Sequence, residues 1–194
     1  LLPVLAKARA RAQEIECGNN ERQIGFATMM YIDDFRRYPE PALNGSNTWT
    51  RAMIEGSYLA RGQRPGESPN SLRLALKCPA STIYTSVPGG GIANSYLMTG
   101  QGAWWIPQTG VEGKMSNQVR RPTATISHAE NGTTSGCSYH MRDFRALPGG
   151  NTTIVLRPIH SDGINNLFCD GHVKWVAYAE FYAPDMAGAQ ATWD

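Results

Sequence analysis

The chain has 194 residues, enough to bury one core and short of two full domains. A formal net charge of +2 with 18% charged residues leaves no global field that would draw nucleic acid or an acidic substrate. Its 20 Gly and 12 Pro are scattered, as in a loop-rich folded domain, and no apolar run of about 18 residues is present to span a membrane.

Leu1-Leu2-Pro3-Val4-Leu5-Ala6 is apolar, begins without Met and runs straight into Lys7, Arg9 and Arg11, so it reads as the trimmed end of a longer hydrophobic segment. From residue 3 to about residue 37 the pattern predicts one long helix. Leu5, Ala8, Ala12, Ile15, Phe26 and Met29 or Met30 recur at alternating spacings of three and four, the stripe expected to lie under a sheet. Asn19 and Gly25 interrupt the stripe without ending the helix, and Tyr38-Pro39-Glu40-Pro41 supplies the stop. Such a helix is about 50 Å long, longer than a domain of this size is wide. Its first turns, Leu1 to Ala12, therefore project and need a partner. The predicted organisation is residues 1–38 as this helix and 39–194 as the rest of the same single domain.

Asn47 is placed to cap a short helix from Thr48 to about Leu59, with Trp49, Met53 and Ile54 packing inward. Residues 60–70 carry Gly62, Pro65, Gly66 and Pro69 and read as a loop. The glycines after Pro88 lack the Lys-Ser/Thr and helix start of a phosphate loop. Asn94 to Met98 reads as a strand instead. Trp104 and Trp105 are candidate ligand contacts. Met115 to Val119 is a helical turn, Thr123 to Ala129 a strand ended by Glu130, and residues 131–151 a loop-rich insert.

The firmest local signal is near the C-terminus. Asp170-Gly171 lies between two short apolar runs and predicts a hairpin with a two-residue loop, strands at about Asn165 to Cys169 and His172 to Val176. Phe168 would then face Val173, and Phe168, Val173, Asn166 and Trp175 would share the core face. Thr152 to Arg157, joined through the turn Ser161-Asp162-Gly163, would make this a three-stranded meander. The fold class is α+β, a long N-terminal helix packed on an antiparallel sheet with loop-rich insertions.

His160, nine intervening residues and Asp170-Gly171 resemble the H-X9-DG motif of bacterial type IV pilin-like and pseudopilin proteins. That family carries a prepilin-type N-terminal cleavage and methylation segment and is also described as a domain of unknown function. Four further segments resemble it in order: Cys17 to Gly25, Cys78-Pro79-Ala80, Asn94 to Met98, and Thr123 to Glu130. Glu21, Leu97 and Thr99 depart from its usual Leu, Gly and Asn.

The resemblance implies a non-catalytic, extracytoplasmic subunit of a type IV pilus or type II secretion-type filament. It also implies anchoring in the cytoplasmic membrane of a bacterial envelope before assembly, with no cofactor and no nucleic acid. Its partners would be other pilin-like subunits or secretion-complex proteins, met through Leu1, Leu2, Val4, Leu5, Ala8 and Ala12. The four cysteines allow three connectivities. The family-like segments favour Cys17 with Cys78, leaving Cys137 with Cys169.

Two other classes remain open on the residues. A binding module, for carbohydrate, would use Trp104, Trp105 and the loops at 60–70 and 131–151. A metal-dependent enzyme would draw on His160, His172, Glu130 and Asp143, although no His-x-x-x-His spacing gathers them. His160 is expected to tie down the mouth of the meander by a hydrogen bond to backbone, and Asp170 to shape the turn.

Overall fold

Helix α1 runs from Leu2 to Phe35 in a computed structural model that describes residues 2–40, 49–59, 75–81, 95–99, 110–130, 140–141 and 158–177. Ala, Arg, Gln, Glu and Met dominate it, so Asn19 and Gly25 are absorbed as expected. It stops one step before the prolines. Arg36 adopts φ 58° and its N–H donates to the Ile32 carbonyl at 2.7 Å, a left-handed C-terminal cap. Tyr38 N–H then donates to the Lys114 carbonyl, which turns the chain back along the domain.

Helix α2, Trp49–Glu55, buries Trp49, Met53 and Ile54 as its periodicity predicted. The strands are β1, Tyr96–Thr99; β2, Ile126–Glu130; β3, His140–Met141; β4, Gly163–Phe168; and β5, Val173–Ala177. They lie in the order β3-β1-β2-β4-β5. Strands β1, β2, β4 and β5 are antiparallel neighbours, and the two-residue β3 pairs parallel with β1. The chain is therefore α+β, with the middle of α1, from Glu14 to Gly25, laid on β4 and β5. The core of Ile24, Ala27, Tyr38, Trp49, Met53, Tyr96, Met98 and Leu167 fills the space between helices and sheet.

The apolar stripe of α1 faces the other way from the expectation. Its sheet side is Glu14, Cys17, Gly18, Glu21, Ile24, Gly25, Thr28 and Ile32, while Ile15, Phe26 and Met30 are exposed. The reason is closeness of approach. The approach is tight at Gly25, where a Cβ would stand 3.0 Å from Leu167 Cδ1, while at Gly18 an added Cβ would meet Val173 Cγ1 at an ordinary 3.9 Å.

The β4–β5 register is also one residue from the expected one. Leu167 pairs with Val173 and Asn165 with Trp175. The loop therefore has three residues, Cys169, Asp170 and Gly171, with Gly171 at φ 91° and Phe168 N–H donating to the His172 carbonyl at 2.9 Å. A one-residue slip exchanges the two faces of a strand. Leu167 and Asn165, rather than Phe168 and Asn166, meet α1.

The two-residue turn lies upstream, at Ser161 and Asp162, both with positive φ, between mutually hydrogen-bonded His160 and Gly163. Beside β4, strand β2 takes the place expected for residues 152–157, which lie outside the described residues.

Trp175 folds over Gly163, where an added Cβ would come within 2.3 Å of its ring, and Trp175 Nε1 donates to the His160 carbonyl at 3.0 Å. Gly163→Ala is therefore expected to lower the unfolding free energy by about 1–3 kcal/mol. Adding Trp175→Ala should recover only part of that loss, because the same Cβ would also crowd the Val176 carbonyl oxygen. Urea denaturation of the single and double variants checks both statements, and additive effects would show that the ring contact is not the cause.

Candidate functional site

Four side chains from four separate segments converge under α1. Cys17 comes from the middle of the helix and Cys78 from the short described segment 75–81, and the two form a disulfide with Cα atoms 5.1 Å apart. Glu130 ends β2, and His160 precedes the tight turn into β4. Cys78 Sγ lies 3.4 Å from His160 Nε2, which lies 3.0 Å from Glu130 Oε1. One ligand-type atom from each of the four residues falls within 4.8 Å of the others, and all four residues are buried.

Local structure places each group. Asn20 Nδ2 donates to the Lys77 carbonyl at 3.0 Å and Gln13 Nε2 to the Pro79 carbonyl at 3.2 Å, which pin segment 75–81 to the helix. Asn165 N–H donates to Glu130 Oε2 at 2.7 Å and its side-chain amide to Glu130 Oε1 at 3.1 Å. The same amide donates to the Glu14 carbonyl at 3.2 Å, tying α1 to β4. The His160 ring thus meets a carboxyl side chain, while its backbone, rather than its ring, serves the turn and Trp175. That corrects the expected ring-to-backbone bond.

Glu21, one turn beyond Cys17, is fully buried, and both its carboxyl oxygens lack a hydrogen-bond partner among the described residues. Burial first, and then the neighbouring Glu130 carboxyl, push it well above the usual carboxylate range, against a smaller opposing pull from Arg22. Nothing in the sequence flagged it beyond its departure from a family Leu.

The remaining candidates separate. His172 and Asp170 stay at the hairpin, where Asp170 Oδ1 accepts from His172 N–H and meets His172 Nδ1 at 2.6 Å, and the His172 ring stacks on Phe168. Asp170 shapes the turn as expected, and His172 is not among the four residues of the buried cluster. His128 packs edge-on against Trp49, and burial lowers its pKa to about 3.

Among the described residues the Cys169 thiol is free and buried, and its expected partner Cys137 lies outside them. Burial foremost pushes the Cys169 thiol up to about 12. Leu2, Val4, Leu5, Ala8 and Ala12 lie on the exposed first turns of α1. Leu1, Trp104, Trp105, Cys137 and Asp143 lie outside the described residues.

Chemically, the cluster is a closed polar knot: an α+β chain held together at its helix–sheet junction by a disulfide, a histidine and a carboxyl group. Residues 6–63, most of α1 and all of α2, match a family described as a protein of unknown function (DUF1559). No curated protein and no solved structure matches the chain.

Glu130→Ala would leave the Asn165 N–H and amide and the His160 ring without their buried acceptor. It is expected to cost about 3 kcal/mol or more, read by urea denaturation. Glu21 gives a pH signature. Unfolded, it ionises near 4.5, whereas folding holds its proton to higher pH, so the folded chain binds the extra proton and stability falls as pH rises above 4.5. Glu21→Gln should remove that fall. The wild-type minus variant difference in urea midpoint, compared between about pH 5 and pH 8, isolates it, and a pH-independent difference would refute the assignment.

Proposed function

We propose that this chain is a pilin-like subunit of a type IV pilus or type II secretion-type filament, non-catalytic, working outside the cytoplasmic membrane and anchored in it before assembly. The observation that carries the reading is the outward apolar stripe of α1. Spacings of four, seven and eleven residues are close to whole helical turns, so Val4, Ala8, Ile15, Phe26 and Met30 share one side, opposite the side packed on the sheet, with the exposed Asn19–Arg22 pair between Ile15 and Phe26. Val4, Ile15, Phe26 and Met30 are 69%, 54%, 72% and 54% exposed. Leu2 and Leu5 extend this surface on the first turns, where no described strand packs on the helix.

A helix with one side on its own sheet and an apolar side left open is suited to packing against helices of neighbouring subunits. The partners would be copies of this chain, other pilin-like subunits or secretion-complex proteins. The Cys17–Cys78 disulfide supports an oxidising compartment. The match of residues 6–63 to the DUF1559 family is compatible with this role.

The test is disulfide cross-linking in the native bacterial membrane. Single cysteines replace Leu5 or Ala8 in a chain that keeps Cys17 and Cys78 and carries serine at 137 and 169. Ladders of copies, or adducts with other subunits, are expected from these positions and not from a cysteine at Lys174. Phe26→Asp should abolish the ladder while changing the stability of the isolated chain by no more than about 0.5 kcal/mol. A folded, exported chain that stays monomeric at both helix positions refutes the reading.

A further inference from the structure

We propose that Cys17, Cys78, Glu130 and His160 form a closed zinc-binding site in the dithiol form of the chain, so that a metal ion and the disulfide are alternative occupants of one buried place. Two thiolates, an imidazole nitrogen and a carboxylate oxygen are a tetrahedral zinc donor set, and four protein ligands leave no open position, as in structural rather than catalytic sites. The separations fit. In a tetrahedron with Zn–S bonds of about 2.3 Å, neighbouring ligand atoms stand roughly 3.3–3.8 Å apart. Cys78 Sγ and His160 Nε2 are 3.4 Å apart, His160 Nε2 and Glu130 Oε1 are 3.0 Å apart, and the whole set lies within 4.8 Å. The two sulfurs must part, which breaking their bond permits, and the widest pair of the set must draw together by about 1 Å.

The surroundings carry the same message. Glu130 Oε2 is held by the Asn165 N–H, and Oε1 is the oxygen turned to the histidine, the outer hydrogen bonding that orients a ligating carboxylate. His160 is fixed through its backbone by Gly163 and Trp175. A second buried carboxyl group, Glu21, adjoins Glu130 and has no hydrogen-bond partner among the described residues.

The chemistry balances. The disulfide takes two electrons and two protons from a dithiol reductant by thiol–disulfide exchange, giving two thiols and leaving the reductant as a disulfide. Zinc then displaces both thiol protons to form two Zn–S bonds. His160 binds through Nε2 with its proton on Nδ1. Because both sulfurs are fully buried, loading happens either as the reduced chain folds or when segment 75–81 lifts from α1.

The whole 194-residue chain is refolded under anaerobic reductant and titrated with Co²⁺ as a spectroscopic probe, followed by Zn²⁺. One equivalent of Co²⁺ is expected, with a near-ultraviolet thiolate charge-transfer band and intense tetrahedral visible bands, both lost when Zn²⁺ displaces it. The oxidised chain should show neither band. Glu130→Gln and His160→Ala should each weaken Co²⁺ binding about tenfold or more. A reduced chain that is folded by circular dichroism and gives no thiolate–cobalt band overturns the proposal, as does a band that neither variant weakens. If the metal-free reduced chain is unfolded, recovery of its circular dichroism on adding Zn²⁺ supports the site, and failure to recover overturns it. The assay uses the isolated chain, so its outcome is separate from that of the assembly test.

Discussion

The Glu130 carboxyl group is the constraint on which this structure depends. Sitting at the end of β2 with no exposure to solvent, it meets the His160 ring and accepts two donors of Asn165. Those bonds join a central strand to the turn that starts β4, and Asn165 passes the connection on to the Glu14 carbonyl in α1. The Cys17–Cys78 disulfide closes the other side, fastening the helix to segment 75–81. A buried carboxyl group is costly unless its oxygens are satisfied. The surrounding backbone therefore has little freedom to move while that requirement is met.

This junction explains the character of α1. A helix drawn onto a sheet by a disulfide and side-chain hydrogen bonds need not be held by large apolar residues, and Gly18, Gly25 and Thr28 let it come close. Of the large residues of the same helix, Ile24 and Ile32 stay in the core while Ile15, Phe26 and Met30 face outward. Ile15, Phe26 and Met30 add little to the core that the described residues form. The anchoring cluster and the exposed apolar residues Ile15, Phe26 and Met30 are thus two sides of one helix.

The cluster combines features that differ in chemical consequence. As a disulfide it locks the helix in place through a bond across 61 residues of sequence, constraining the unfolded chain as well as the folded one. As a dithiol with His160 and Glu130 it has the donors of a metal site. Glu21, buried beside it, adds a proton-dependent element to either state.

Local features were legible without the fold. Ala- and Arg-rich periodicity sets a helix of about the right length, Trp49, Met53 and Ile54 mark the inward side of α2, and the paired turn residues place a hairpin near the C-terminus, because propensity and positive φ act within a few residues. Whether Asp170-Gly171 makes a two- or three-residue loop was not legible, since the register is settled by how Leu167 and Val173 pack against α1. Which side of α1 is buried was likewise undecided by its stripe, because a close helix–sheet approach favours small residues over large ones. The union of Cys17, Cys78, Glu130 and His160 belongs to the tertiary structure alone. Those residues come from four distant segments with no shared spacing, and only the packing of helix on sheet sets their atoms a few ångströms apart.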